Sequence, residues 1–286
     1  MILITGATGN LGGVVIQTLL QQLPANEIAA LVRDPAKASA LEARGVSVRV
    51  GEYDDIPSVE AAMRGVDKVL LISGGNAPNL VEQHQNVVTA AKRAGVQCLA
   101  YTGRIFKDRA TLASTFMDTH YQTDDIVMAS GMNYTLFRNN LYMDSLLWLV
   151  GPNATETGIN LPTGDGKVAF ALRSDMGEAM ANVLAGQDGD NRIYHFTGAR
   201  AYSFEEVAAA LSDLTGKPVS YNPLTSEAYL AQLKAHGTPE KVAGHVLDSM
   251  IDIKNGQSEE VSDDLERALG RKPTGLKEGL KTLFKL

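Results

Sequence analysis

This sequence of 286 residues contains one cysteine, carries a net negative charge and has no long apolar run, and each of these properties excludes a class of protein. The single cysteine, Cys98, excludes an internal disulfide, and its apolar neighbours favour a buried structural thiol. A formal net charge of −7 gives no general attraction to nucleic acid. No apolar run is long enough to span a bilayer and no basic segment precedes the first apolar residues, so we expect no membrane anchor, no signal peptide and a cytoplasmic location.

Glycine, in contrast, is concentrated at the start of the chain. A short apolar run at residues 2–4 suits a buried strand, and Gly6, Gly9 and Gly12 follow where a turn must lead into a helix. Glycine allows the turn, the approach of the backbone to a phosphate and the close packing of the helix on the strand. The free N–H groups at the start of the helix then suit a pyrophosphate. The sequence predicts a dinucleotide site, with a glycine spacing that differs from the commonest fingerprint.

Arg33 lies just beyond the second predicted strand, residues 28–32, where the adenosine ribose of a dinucleotide is recognised. An acidic residue there suits the ribose 2′-hydroxyl of NAD, whereas a guanidinium suits the 2′-phosphate of NADP. We interpret Asp34 as a helix cap, because Pro35 follows it. Lys37 is either a second positive charge for the phosphate or an ordinary solvated lysine. The predicted cofactor is therefore NADP(H).

Short apolar runs alternate with helical patterns through the first half of the chain. After the first two strands, this alternation predicts strands at 46–50, 69–72, 98–102 and 134–137, and helices at 57–64, 80–94 and 112–129. The pattern is typical of an α/β protein with a doubly wound, mostly parallel sheet of the Rossmann type. Ligands of such sheets bind at the carboxyl ends of the strands.

The regular alternation ends near Trp148. We expect a dinucleotide-binding domain over residues 1–150 and a smaller, mostly helical substrate lobe over residues 151–286. One strand near 191–196 is expected to return to the main sheet. Ser174 and Asp175 are predicted to cap a helix that ends at residue 185.

Five separated motifs occur in an order that is known from one group of proteins. They lie at residues 5–12, 31–37, 70–73, 100–102 and 137–142. With the closing segments 263–270 and 273–276, they resemble the NmrA-like group of atypical short-chain dehydrogenase/reductases. Within that group, the chain is similar to type 2 NAD(P)H:quinone oxidoreductases and to bacterial triphenylmethane reductases. The resemblance implies a Rossmann fold, NADP(H) without flavin, and hydride transfer to a substrate held between the two lobes.

The resemblance also implies which residues hold the cofactor. Residues 6–11 would bind the pyrophosphate, Arg33 the 2′-phosphate, and residues 138–142 would lie against the nicotinamide, with Lys167 facing the cofactor from a turn. The predicted cofactor-binding residues are Gly6, Thr8, Gly9, Asn10, Leu11, Arg33, Ser73, Gly74, Thr102, Arg138, Asn139, Asn140, Leu141, Tyr142 and Lys167.

The chain lacks the tyrosine and lysine that ordinary short-chain dehydrogenases carry four residues apart. None of the nine tyrosines is followed four places later by lysine, so the usual acid for the reduction of an isolated ketone is missing. A quinone spreads the added charge over a conjugated ring, and a triarylmethyl cation needs no proton at all. We therefore predict NADPH-dependent hydride transfer to a quinone or a similar conjugated electrophile, such as a triphenylmethane dye.

The predicted catalytic residues are His120, Asn139 and Tyr142. His120 lies on a predicted helix, where it either orients or protonates the substrate or is a partly buried structural residue. Tyr142, Met143 and Trp148 either line an aromatic pocket or pack in the core. His84 and His120 are too far apart in the chain to suggest a metal pair, and no metal site is predicted.

A different functional class shares most of these features. A non-catalytic redox sensor that binds NADP(H) and reports to a protein partner would also lack the usual acid. An enzyme needs an apolar cavity above the nicotinamide, whereas side chains can fill that space in a sensor. A sugar-nucleotide enzyme is disfavoured by the missing tyrosine and lysine. We expect a small aromatic or quinone-like substrate and no nucleic-acid or membrane partner; the oligomeric state is open, with a homodimer as one option.

Overall fold

The structure, a computed structural model, describes residues 1–74, 78–186 and 191–286. The strands are β1 (Ile2–Ile4), β2 (Ile28–Val32), β3 (Ser47–Val50), β4 (Lys68–Ile72), β5 (Cys98–Arg104), β6 (Asn133–Asn139), β7 (Ile159–Leu161), β8 (Lys167–Val168), β9 (Arg192–Phe196), β10 (Tyr202–Ser203) and β11 (Tyr221–Pro223). The α-helices are α1 (Asn10–Gln22), α2 (Ser39–Glu42), α3 (Ile56–Ala62), α4 (Leu80–Ala94), α5 (Thr115–Ala129), α6 (Leu146–Leu149), α7 (Ala154–Thr157), α8 (Arg173–Ala185), α9 (Phe204–Thr215), α10 (Ser226–Ala235), α11 (Glu240–Lys254), α12 (Asp264–Leu269) and α13 (Leu276–Phe284). Within the described ranges, no helix has the length and apolarity that crossing a membrane requires.

Seven strands form one parallel sheet in the order β3-β2-β1-β4-β5-β6-β9. In its middle, Ile2 of β1 is opposite Ile28 of β2 on one side and Lys68 of β4 on the other. The strand order reverses between β1 and β4, so their carboxyl ends open a crevice. The predicted doubly wound Rossmann sheet is confirmed, and β9 is the expected returning strand.

Helices cover both faces of this sheet, which explains why its central strands are apolar throughout. On one face α1 packs against α8, and α12 packs against α8 and β9. Ile16 and Leu265 are fully buried there. On the other face α3, α4 and α5 bury Val59, Val87 and Val127 against the strands.

A third apolar core belongs to the C-terminal part of the chain. It includes Phe170, Phe204, Met250 and Leu280, with β7 paired to β11 and β8 paired to β10 around it. The segment after residue 150 also returns to the main sheet through α8, β9 and α12. The division of the chain at residue 150 stays a prediction.

Three helices begin at other residues than the sequence predicts, and one of them, α3, begins only one residue earlier. α5 begins at Thr115, because the hydroxyl of Ser114 accepts a hydrogen bond from the Met117 N–H at 3.3 Å and caps the first turn. α8 begins at Arg173 after Leu172, without a side-chain cap. The predicted cap Asp175 is wrong, because its buried carboxylate instead accepts hydrogen bonds from residues near the C-terminus.

Cys98, expected to be buried, is only half-buried at the start of β5. Burial nevertheless raises the pKa of its thiol above the usual value. The thiol is therefore protonated at neutral pH, as a structural role requires.

The turn between β1 and α1 depends on two glycines. Gly6 has a φ of +57°, in the left-handed region that favours glycine. At Gly12, an added Cβ would lie 2.4 Å from the carbonyl oxygen of Gly6. The helix can start this close to the turn only because neither position carries a side chain.

We expect Gly12→Ala to lower the free energy of unfolding by about 1–3 kcal/mol, because the new methyl group overlaps backbone atoms that cannot move independently. Gly13→Ala is the matched control on the same helix, where a Cβ meets no atom within 4 Å. It should be neutral or stabilise by up to about 1 kcal/mol, since alanine favours helix. Urea unfolding followed by circular dichroism measures both; equal effects would contradict the packing argument.

Candidate active site

Two cavities meet at the turn between β1 and α1. The large cavity, about 650 Å³, lies between the carboxyl ends of the sheet strands and helices α5, α6 and α11. The small cavity, about 520 Å³, lies over the ends of β2 and β3. The residues that line both are Gly6, Gly9, Ile72, Ser73 and Gly74. The two cavities therefore form one elongated site with the glycine turn in its middle.

The shared wall offers unused hydrogen-bond donors. Gly9 is the N-cap of α1, and no side chain caps the first turn of this helix, so its N–H groups can bind an anion. The hydroxyl of Ser73 is buried and has no partner among the described residues. The backbone N–H of Ser73 donates to the Thr102 hydroxyl at 3.0 Å and so fixes this segment. This set of donors fits the pyrophosphate of a dinucleotide.

The small cavity carries an exposed guanidinium, that of Arg33, at its rim. Tyr53 forms another wall, where its hydroxyl donates to the carbonyl of Ile72 at 3.1 Å. Burial raises the pKa of Tyr53 to about 12, so the hydroxyl stays protonated. Thr8 completes this side, whereas Lys37 does not line the cavity. The arrangement suits an adenosine with a negatively charged group next to Arg33.

A partly buried hydrogen bond lies in the wall of the large cavity. His120 of α5 faces the cavity, and its Nδ1 is 2.8 Å from the hydroxyl of Tyr101 on β5. Burial, followed by the nearby charges of Arg104 and His84, lowers the pKa of His120 to about 3. The imidazole is therefore neutral at pH 7. A neutral, hydrogen-bonded imidazole can bind a polar group of a ligand without adding charge.

His84 lies behind this pair and is fully buried. Its Nδ1 is 2.9 Å from the Thr123 hydroxyl, which itself donates to the Thr119 carbonyl at 2.9 Å. Because the Thr123 hydroxyl donates its proton to the Thr119 carbonyl, it acts as the acceptor towards His84. The Nδ1 of His84 therefore carries a proton and donates to the Thr123 hydroxyl. Burial lowers the pKa of His84 to about 4, and its Nε2 has no partner in the described part of the chain.

Tyr142 lines the large cavity just after β6 and is held from two sides. The side-chain amide of Asn139 donates to its hydroxyl at 3.1 Å, and the guanidinium of Arg173 lies 4.5 Å from the centre of its ring. The carbonyl oxygen of the same Asn139 amide is buried without a partner among the described residues. Asn139 does not line the cavity itself, but its hydrogen bond positions the hydroxyl of Tyr142 in the cavity wall.

Most predicted site residues meet at the two cavities. The large cavity is lined by Gly6, Gly9, Asn10, Leu11, Ser73, Gly74, Thr102, His120, Leu141 and Tyr142, and the small cavity by Gly6, Thr8, Gly9, Arg33, Ser73 and Gly74. Of the alternatives left open, Trp148 lines the large cavity, whereas Met143 is buried in the C-terminal core.

Four predicted residues line neither cavity. Besides Asn139, these are Arg138, whose side chain donates to Asp124 at 2.8 Å, and Asn140, whose amide donates to the Ser258 carbonyl at 3.0 Å. Lys167 is exposed in β8. Arg138 and Asn139 are adjacent on β6, and neighbouring side chains of a strand point to opposite faces. Asn139 supports Tyr142 from behind, whereas the side chains of Arg138 and Asn140 bind Asp124 and Ser258 instead.

The sequence reading missed a whole wall of the large cavity. It consists of one face of α11, with Val242, His245, Val246, Ser249, Met250 and Ile253. This spacing of three and four residues is visible in the sequence as a helical stripe, but it does not tell what the stripe faces. Phe116 and Arg104 also line the cavity, and the ring of Phe116 lies 5.6 Å from that of His245.

The polar groups of the large cavity are basic or neutral. None of the described residues that line it is aspartate or glutamate, whereas two are arginines, Arg104 and Arg173. The described ranges also contain no group of three or more side chains arranged to hold a metal ion. The site can therefore bind a flat apolar ligand whose polar atoms are hydrogen-bond acceptors.

Residues 1–284 match the model of the NmrA-like family. The chain belongs to the NmrA-like family. The resemblance of the five sequence motifs is thus confirmed over almost the full length.

Relatives within the NmrA-like family share both sequence and structure with this chain. Quinone oxidoreductase 2 of Escherichia coli (strain K12) is 38% identical over 285 residues, which is 99% of each chain. The crystal structure of an Escherichia coli NADPH-dependent quinone oxidoreductase complexed with NADPH has a TM-score of 0.94, 38% identity, and coverage of 99% of this chain and 100% of that one. A Citrobacter sp. triphenylmethane reductase complexed with NADP(H) has a TM-score of 0.91, 37% identity and the same coverage.

The buried, neutral His84 should make stability depend on pH. In the unfolded chain the imidazole of His84 is protonated below about pH 6.5, whereas in the folded chain it is protonated only below about pH 4. Between these values, the free energy of unfolding therefore falls by up to about 1.4 kcal/mol per pH unit as the pH drops. We expect His84→Asn, whose amide can still donate to Thr123, to show a shallower loss of stability between these values. Urea unfolding at a series of pH values measures the slope.

The exposed His236 provides the control for this measurement. His236→Asn should keep the pH dependence of the unchanged protein, because the exposed ring is solvated in both states. A slope in His84→Asn that equals that of the control would contradict the role of the buried imidazole.

Proposed function

We propose that this chain is an NADPH-dependent reductase that transfers hydride to a quinone or a similar conjugated electrophile. The observation that carries this proposal is the open, largely apolar cavity that continues from the nucleotide site at the glycine turn. In a sensor this space can be filled by side chains; here about 650 Å³ stays open. The names of the relatives, quinone oxidoreductase and triphenylmethane reductase, support the same reaction class.

The dinucleotide would lie along both cavities. The first turn of α1, with residues 6–11, would bind the pyrophosphate through its free N–H groups. Arg33, with Thr8 beside it, would bind the 2′-phosphate in the small cavity. Thr102, Leu141 and Tyr142 would surround the nicotinamide half, and Ser73 and Gly74, which line both cavities, would lie between the two halves. Asn139 would support that wall through its hydrogen bond to Tyr142, and Arg138, Asn140 and Lys167 are left outside the proposed site.

NADPH, when bound, supplies a hydride from its nicotinamide ring, so that the acceptor gains two electrons and a hydrogen while the nicotinamide is oxidised. The protein contributes position and the exclusion of water. Met117, Leu149 and Val246 provide apolar walls for a flat ring. His120 and Tyr142 present polar groups to it, and solvent supplies the proton that completes a hydroquinone. We propose that no flavin takes part.

Small aromatic molecules are the proposed partners of this site. We propose a cytoplasmic enzyme without nucleic-acid or membrane partners, in agreement with the net charge of −7 and with the absence of a membrane-crossing helix in the described ranges. A homodimer stays a prediction.

The activity is tested with NADPH and a panel of quinones and cationic dyes. We expect loss of the reduced-nicotinamide absorbance with at least one quinone, at a kcat in the usual range of about 1–10³ s⁻¹. NADPH deuterated at the transferred position should slow the reaction, and the purified protein should show no flavin absorbance. Tight NADPH binding without oxidation by any acceptor would favour the sensor instead.

Arg33→Asp tests the cofactor assignment. Removing a charge-assisted hydrogen bond of about 1.5–3 kcal/mol should lower kcat/KM for NADPH by roughly 10- to 150-fold, and the new carboxylate can accept from the ribose of NADH. Lys37→Asp changes the same charge four residues away, outside the cavity, and should keep the preference for NADPH. The ratio of kcat/KM for the two cofactors is the measurement. An unchanged ratio in Arg33→Asp would refute the role of this arginine.

A further inference from the structure

Arg104 is the unused cation of the large cavity. It is the last residue of β5 and lines the cavity. Its Nε is buried and forms no hydrogen bond with any described residue, although its guanidinium lies 5.4 Å from the centre of the Phe106 ring. Burial lowers the pKa of Arg104 to about 10, so the group keeps its charge at neutral pH. A buried donor without an acceptor costs free energy, which a ligand with an acceptor would recover.

The neighbouring charges do not neutralise Arg104. The carboxylate of Asp252 on α11 is directed to backbone groups, accepting from the N–H of Ala113 at 2.6 Å and of Ser114 at 3.1 Å. The other arginine of the cavity differs, because Arg173 forms an ion pair with Asp144 at 3.7 Å. Arg104 is therefore the guanidinium that a ligand can engage.

The surroundings of Arg104 separate it from the phosphates of a dinucleotide. Its electrostatic neighbours are His120 of α5, Tyr142 after β6 and Asp252 of α11. Asp252 is on α11, which packs in the C-terminal core, whereas His120 and Tyr142 line the cavity from the sheet side. The 2′-phosphate has its own cation, Arg33, in the other cavity. We therefore assign an acceptor bound at Arg104 to the substrate, and the NADPH affinity of an Arg104 variant tests this assignment against a contact with the cofactor.

We propose that Arg104 determines specificity by binding an oxyanion of the substrate, next to the neutral imidazole of His120. This inference rests on the proposed reductase function and narrows its substrate class. The oxyanion has two sources, an acidic substituent on the ring or the oxygen that becomes negative when hydride is added. Either source favours quinones over cationic dyes, because the cavity presents a guanidinium and no carboxylate among its described lining residues.

Binding without turnover gives the first test. The protein, saturated with NADP⁺, is titrated in a calorimeter with 2-naphthalenesulfonate and with the uncharged 2-naphthalenemethanol. We expect the sulfonate to bind at least ~10-fold more tightly, as a charge-assisted hydrogen bond provides. Arg104→Gln should abolish this preference, and Arg104→Lys should retain part of it because it keeps the charge.

The matched control is Arg93→Gln, which removes an exposed guanidinium from α4. The guanidinium of Arg93 forms an ion pair with Glu60 at 3.8 Å. It changes the net charge equally and should keep the preference of the unchanged protein. Thermal unfolding checks that each variant is folded. If Arg104→Gln fails to fold, the proposal is tested by the preference for the sulfonate over the uncharged ligand in the unchanged protein and in Arg104→Lys.

Turnover distinguishes the two sources of the oxyanion. If the oxyanion forms during reduction, Arg104→Gln lowers kcat for the neutral 1,4-naphthoquinone by about 10-fold or more. If it is a substituent, only KM for a sulfonated naphthoquinone rises. With a cationic triphenylmethane dye, Arg104→Gln should increase kcat/KM several-fold, because a like charge is removed.

Three results would overturn the proposal. They are equal binding of the two naphthalene ligands by the unchanged protein, a preference that persists in Arg104→Gln, or a loss of NADPH affinity in that variant as large as the loss of sulfonate affinity. The last result would assign Arg104 to the cofactor. Failure of the reductase function itself shows separately, as no NADPH oxidation with any acceptor, and leaves the binding comparison intact.

Discussion

The close approach of α1 to the turn that precedes it is the constraint on which the site depends. Because Gly12 has no side chain, the helix starts directly against the carbonyl of Gly6, and its free N–H groups lie at the crevice between β1 and β4. This position sets the common wall of the two cavities. A bulkier turn would move the anion-binding end of the helix away from the strands that carry Ser73 and Thr102.

A second constraint sets the width of the large cavity. The carboxylate of Asp252 on α11 accepts hydrogen bonds from the backbone N–H groups of Ala113 and Ser114, just before α5. A carboxylate at this end of a helix also interacts favourably with the helix dipole. α5 carries His120 and Phe116, and α11 carries His245 and Met250, so this contact holds two opposing walls at a fixed separation. Gln257, just beyond α11, adds bonds to Asp108 and strengthens the same connection. The cavity is thus formed by residues from both parts of the chain.

Local sequence patterns correctly predict those features of the structure that depend on neighbouring residues alone. The glycine turn, the returning strand and the position of Arg33 at the end of β2 each depend on a few adjacent residues. The difference at Asp175 has a long-range cause, since its carboxylate accepts from Thr274 at 2.7 Å and from Arg271 at 2.9 Å. The family resemblance implies a turn at Lys167, whereas the antiparallel pairing of β8 with β10 places this residue on a strand with its side chain exposed.

The sequence by itself determined the doubly wound sheet, the glycine turn before α1 and the missing tyrosine and lysine, because hydrophobic period, glycine spacing and residue identity are all properties of short segments. Only the tertiary structure decided which side chains surround the large cavity. The place of the α11 stripe at the cavity, the hydrogen bond between Tyr101 and His120, and the burial of the Arg104 Nε without a partner among the described residues depend on how distant segments pack. Burial also decides the charge of the imidazoles, since the removal of water lowers the pKa of His84 and His120.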